Sequence, residues 1–132
     1  MRLMIVDDHA SAREMIRRLL ALPGVTFCEC ASGEEALQQV RKFKPHWITM
    51  DVNMPGLNGF QSTEALRAEH PSARVVIVTS YSEKHYSQLS RAAGAVALIS
   101  KENLLPLRTL LAREMARIYF PPLGGGDEPA AD

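Results

Sequence analysis

The sequence predicts an α/β fold: one domain built on a doubly wound parallel sheet of five strands with helices on both faces. Three observations carry that prediction. Short apolar runs alternate five times with longer amphipathic ones, the pattern of strand-helix units feeding a parallel sheet. Most of the short runs are apolar at consecutive positions, as strands covered on both faces require. The chain has 132 residues, enough for one domain with its own core and too few for two of ordinary size.

Strands are expected at 3–6, 25–29, 47–50, 75–78 and 96–99. Ser11 with Glu14 and Ser32 with Glu35 have capping-box spacing, in which two side chains satisfy the free backbone N–H groups of a helix start, so each pair predicts one. Ala12, Met15, Ile16 and Leu19 line one face of the first helix. Asn58 with Gln61 opens a third helix, which ends before Pro71 because a residue preceding proline avoids helical backbone. Ser82 caps a fourth, which stops at Gly94, a residue suited to the left-handed conformation after a helix. Leu104, Leu107, Leu111, Met115 and Ile118 form the stripe of a fifth. Pro121 and Pro122, three glycines and an acidic, alanine-rich end predict a flexible tail over 121–132, after a folded domain over 1–120.

Composition narrows the function classes. Apolar residues make up 46% of the chain, and 15 basic residues balance 15 acidic ones. That fits a soluble globular domain and lacks the basic excess typical of a nucleic-acid binder. The apolar stretch at the start turns acidic at Asp7, too soon for a signal peptide or a membrane span, so a cytoplasmic location is expected. Cys28 and Cys30 lie one position apart on one strand, where they share a face without favourable disulfide geometry, and reduced thiols are expected.

A doubly wound sheet gathers its functional residues beyond the carboxyl ends of its strands. There the sequence places Asp7 and Asp8, Asp51, Thr79 and Ser80, and Lys101. Three carboxylates brought together repel one another unless a cation joins them, and Mg2+, which takes oxygen ligands, suits such a set. Asp51 then has the chemistry of a nucleophile toward a phosphoryl group, Lys101 supplies positive charge, Thr79 offers a hydroxyl and the small Ser80 leaves room for phosphate to enter. His9 is read as capping or lining the loop, since imidazole is a poor magnesium ligand. His46, His70 and His85 show no ligand spacing, Trp47 reads as core, and Arg108, Arg113 and Arg117 read as a solvated helix face.

Taken in order, Asp7-Asp8, Asp51-Val52-Asn53-Met54-Pro55-Gly56-Leu57-Asn58-Gly59, Thr79-Ser80, Gly94-Ala95 and Lys101 resemble the receiver domains of response regulators in two-component signalling. The resemblance runs nearly to Phe120. It implies a flavodoxin-like (βα)5 fold with strand order 2-1-3-4-5. It implies Asp51 as phosphoacceptor, Mg2+ held by Asp8, Asp51 and the main-chain carbonyl of Asn53 with Asp7 acting through water, and Thr79 and Lys101 reading the phosphoryl group. The implied donor is a histidine kinase or a phosphotransfer protein. The implied response is a changed protein-binding surface on the fourth helix, fifth strand and fifth helix, with a homodimer as one outcome. Such a switch catalyses only its own phosphorylation and dephosphorylation.

The Asp7-Asp8-His9 opening and Glu102 look most like receivers that carry a helix-turn-helix output domain, and no such output follows in these residues. A stand-alone receiver, read by a protein target rather than by nucleic acid, is therefore expected. Leu98 stands where many receivers place a Tyr or Phe that turns inward on activation. Glu102 replaces the proline common after the lysine; a cis bond there would cost about 2.5–4 kcal/mol, so a trans bond is expected. Asn53 and Tyr81 resemble the positions that flank the phosphoryl group, and Tyr81 is expected to hinder water and prolong the phosphorylated state. The alternative reading is a receiver-like interaction or dimerisation module that works without phosphorylation. An aspartyl-phosphate phosphatase would need an acid where Asn53 stands, and a flavin carrier would need a Ser/Thr-rich loop after the first strand.

Overall fold

The computed structural model describes residues 1–80 and 84–120. Its elements run β1 (Arg2–Val6), α1 (Ala10–Leu19), β2 (Thr26–Cys30), α2 (Gly33–Phe43), β3 (Trp47–Met50), α3 (Gly59–Glu69), β4 (Arg74–Thr79), α4 (Lys84–Ala93), β5 (Ala97–Ser100) and α5 (Leu105–Tyr119). The five strands pair in parallel in the order β2-β1-β3-β4-β5, as expected. The order reverses between β1 and β3, which opens a crevice at their carboxyl ends.

Side chains alternate across each strand and so build two apolar layers. Met4, Val6, Ile48, Met50, Val75 and Ile77 pack with Ala36 and Val40 of α2 and Leu66 of α3. Leu3, Ile5, Trp47, Val76 and Val78 pack with Ile16 and Leu20 from α1 and its end and with Leu107 and Leu111 of α5. All four residues of β3 are buried, as befits the central strand of a sheet covered on both faces. No helix among the described residues is long and apolar enough to cross a membrane.

The capping signals divide. Asn58 and Gln61 form a complete capping box, each side chain accepting the other's backbone N–H at 2.9 Å. Ser32 accepts from the Glu35 N–H at 3.0 Å, but Glu35 accepts from the Ala31 N–H at 2.7 Å, so that box is one-sided. The box expected at Ser11 does not form. His9 is the N-cap of α1, and the His9 carbonyl accepts from the Ala12 and Arg13 N–H groups. The helix starts earlier because the Asp7 carboxylate accepts from the His9 N–H at 2.9 Å and fixes the turn; Glu14 pairs instead with Arg18 at 2.7 Å.

The expected helix stripes need two corrections. Met15 is 45% exposed and Leu20 takes its place in the core, while Ile118 of α5 is 50% exposed. β2 and β5 sit one residue later than expected, and β4 gains a residue at each end, because backbone pairing such as Thr79 with Ser100 needs no apolar side chain. α3 ends before Pro71, and Gly94 adopts a positive φ of 100° after α4. Ser82, Tyr81 and the tail over 121–132 lie outside the described residues.

Gly59 ties the core to the functional edge. Its N–H donates to the Val52 carbonyl at 2.8 Å, and a Cβ here would overlap the Asp51 carbonyl oxygen and stand 2.8 Å from Val52 Cα. Gly59→Ala is expected to cost about 1–3 kcal/mol or more, seen as a lower urea midpoint at unchanged slope.

Candidate functional site

Backbone bonds to neighbouring strands place the chemical residues. The Asp7 N–H donates to the Cys30 carbonyl at 3.1 Å, the Asp51 N–H to Val6 at 3.0 Å and the Lys101 N–H to Thr79 at 2.8 Å. Each of these residues therefore lies one step past its own strand, at the crevice. Asp7 and Thr79 are 1% exposed and Asp51 is 6% exposed. Lys101 Nζ stands 2.7 Å from Asp7 Oδ2 and 3.1 Å from Asp51 Oδ1, so one ammonium bridges the acids that end β1 and β3.

Asp8 lies beside this pair. Its Oδ1 is buried and without a hydrogen-bond partner, although His9 Nδ1 approaches to 3.2 Å in an ion-pair geometry that depends on imidazole protonation. Arg13 Nη1 donates to the Asp7 carbonyl at 2.7 Å and its Nε to Glu29 at 3.1 Å. The loop after β3 is pinned by the buried Val52 and Met54, by a positive φ at Gly56 and by Glu34, which accepts the Leu57 N–H at 3.0 Å. Asn53 is exposed on that loop.

Electrostatics follow from this packing. Burial and then the charge of Asp7 push the Asp51 carboxyl above the usual aspartate range, further than Lys101 pulls it down. Burial alone would lower the Lys101 ammonium, but its hydrogen bond to Asp7 and the charges of Asp51 and Asp7 raise it. Asp7, Asp8 and Asp51 against Lys101 leave an excess of negative charge that a divalent cation offsets. The unpartnered buried oxygen of Asp8 and a donor set made mainly of oxygens fit Mg2+.

The structure thus brings Asp7, Asp51 and Lys101 into direct contact, with Asp8 adjacent and Thr79 buried at the end of β4. Among the described residues, the group of three or more potential ligand atoms lying within 4.8 Å of one another is Asp7, Asp8 and His9. His9 lines the loop, as the sequence suggests. Arg13 escaped sequence reasoning, because a bond to a main-chain carbonyl leaves no mark in residue type. No cis peptide occurs among the described residues, so Lys101 and Glu102 are joined in trans. Leu98 is partly buried and packs against the layer that also holds Phe60 and Tyr86.

Residues 3–112 match the family model described as response regulator receiver domain. The chain is 38% identical over 102 residues to the response regulator GacA of Pseudomonas protegens, covering 76% of this chain and 48% of that protein. It is 32% identical over 124 residues to the DNA-binding transcriptional activator EvgA of Escherichia coli strain K12, covering 92% and 61%. Its fold matches that of the chemotaxis protein CheY4 of Vibrio cholerae with a TM-score of 0.77 at 30% identity, covering 85% of this chain and 96% of that one. The chain spans about half the length of GacA and somewhat more of EvgA.

The raised Asp51 gives a pH test. Its folded pKa lies above the unfolded one, so ionisation weakens the metal-free fold; the cost is absent at acid pH and grows as pH rises to the folded pKa. In metal-free buffer Asp51→Asn is expected to melt a few degrees above wild type near neutral pH. Thermal melts across a pH series should show the gap closing toward about pH 4.

Proposed function

The chain belongs to the response regulator receiver domain family, and from that premise we propose that it is a phosphorylation-operated switch with Asp51 as phosphoacceptor. The observation that carries this reading is the Lys101 ammonium held between Asp7 and Asp51 at the crevice. An Asp51 oxygen attacks the phosphorus of a phosphohistidine on a histidine kinase or phosphotransfer protein. The new P–O bond forms as the P–N bond breaks, and the imidazole nitrogen leaves with the bonding pair. Lys101 exchanges its contact with Asp51 for the phosphoryl oxygens while keeping Asp7, and the Thr79 hydroxyl donates to another phosphoryl oxygen.

Asp8, Asp51 and the Asn53 carbonyl would hold Mg2+, with Asp7 assisting; when bound, the ion would supply positive charge against the transferring oxygens. Ser80, exposed beside Thr79, leaves the entrance open. Thr79 ends β4 and pairs with Ser100 of β5, which gives the phosphoryl group a short route to the surface of α4, β5 and α5, where a protein target or a second copy docks. Balanced charge favours a protein target over direct nucleic-acid contact for these residues. The setting is cytoplasmic, and catalysis is confined to the protein's own phosphorylation and dephosphorylation.

Leu98, which lacks the ring and hydroxyl of an aromatic rotor, favours a second reading: an interaction module that works without phosphorylation. Intact mass after incubation with Mg2+ and acetyl phosphate separates the two. A phosphoryl adduct is expected on wild type and absent from Asp51→Asn; a folded wild type that stays unmodified beside a working control receiver favours the second reading.

Mg2+ is also expected to stabilise the fold. At a hundredfold excess over Kd the gain is about 2.7 kcal/mol, and Asp8→Asn is expected to lose most of it in thermal melts with and without the ion.

A further inference from the structure

At the amino ends of the strands, opposite the acidic crevice, lies a cleft of about 360 Å³ lined by Arg2, Lys44, His46, His70, Arg74 and Glu114, among others. The phosphoryl mechanism uses none of these residues.

The backbone builds this cleft tightly. α2 ends at Phe43, and Lys44 follows with φ 53° and ψ 62°, a left-handed conformation usually given to glycine or asparagine. The Lys44 carbonyl accepts from Arg2 Nε at 2.8 Å. His46 Nδ1 accepts from the Arg2 N–H at 2.9 Å. That bond makes His46 neutral with its proton on Nε2, where it is a donor. Burial and then the charge of Arg2 hold the imidazole below its usual range and favour the same state. The Arg74 guanidinium lies 5.7 Å from the centre of the Trp47 ring, which restricts its orientation.

Positive charge is in excess here. Glu114 is the one carboxylate among the lining residues, and it is shared: 3.7 Å from Arg74 and 3.3 Å from Arg117. Among the described residues neither Arg2 nor Lys44 has a carboxylate within ion-pair reach, whereas Arg13 and Arg17 share Glu29, Arg18 has Glu14 and Arg41 has Glu69. Guanidinium groups match the oxygens of a phosphate by paired N–H donors. The cleft lies at the small end of the range for ligand pockets.

We propose that this cleft binds a small phosphate anion of more than one charge, inorganic phosphate or pyrophosphate in type, between Arg2, Lys44, His46 and Arg74. The site is independent of Asp51 phosphorylation.

Calorimetric titration of the metal-free chain with pyrophosphate and with phosphate at low ionic strength tests this, with NMR locating the response. Saturable binding is expected, with shifts at the amides of Arg2, Lys44 and Arg74 and at the imidazoles of His46 and His70. Arg2→Gln is expected to weaken binding about tenfold. Lys44→Gly is expected to weaken it about as much without lowering Tm, because glycine takes a positive φ freely; that pairing separates a lost ligand contact from a lost fold. Absence of saturable binding to either anion would overturn the proposal. So would shifts confined to Asp7, Asp51 and Lys101, or affinity unchanged in both variants.

Discussion

Two aspartates at the ends of adjacent strands, both nearly out of solvent, share one ammonium: Lys101 Nζ is 2.7 Å from Asp7 and 3.1 Å from Asp51. Buried carboxylates without a partner would force the crevice to open to water or the acids to take up protons. With the lysine between them the crevice stays compact, and β5, which delivers the lysine, is tied electrostatically to β1 and β3. The bridge is still incomplete, since Asp51 remains above its ordinary range. The edge is therefore poised for additional positive charge or for conversion of Asp51 to a form that no longer presses on Asp7.

The rest of the domain keeps this arrangement in register. α1 and α5 cover one face of the sheet, α2 and α3 the other, so the strand ends cannot shift without disturbing two packed layers at once. The loop after β3 is held from three sides: Val52 and Met54 turn into the core, Glu34 reaches from α2 to the Leu57 N–H, and Gly59 lets α3 approach the Asp51 carbonyl. Chemistry at Asp51 is thus coupled to backbone placement through contacts that leave little free volume.

The strands and the residues at their ends were legible because apolar runs mark buried strands and acids, hydroxyls and a lysine mark where they stop, whereas the sheet order came from the resemblance to receiver domains. Asn58 with Gln61 also formed as its spacing implies. Ser11 with Glu14 did not, and the reason lies outside the motif: Asp7, which the site requires, captures the His9 N–H and starts α1 earlier. Leu20, which follows the last turn of α1, reaches the core where Met15 does not. Arg13 and the left-handed Lys44 were invisible in the pattern, because both depend on main-chain geometry that emerges only after folding.

Among the described residues, β2 and β5 form the two margins of the sheet, each with one row of backbone groups lacking a strand neighbour. β5 is only four residues long, and the penultimate residue of β2 is Glu29, clasped by Arg13 and Arg17. Neither margin offers a long, flat, apolar template on which another chain could add a strand. Run-on polymerisation of the sheet is thereby disfavoured.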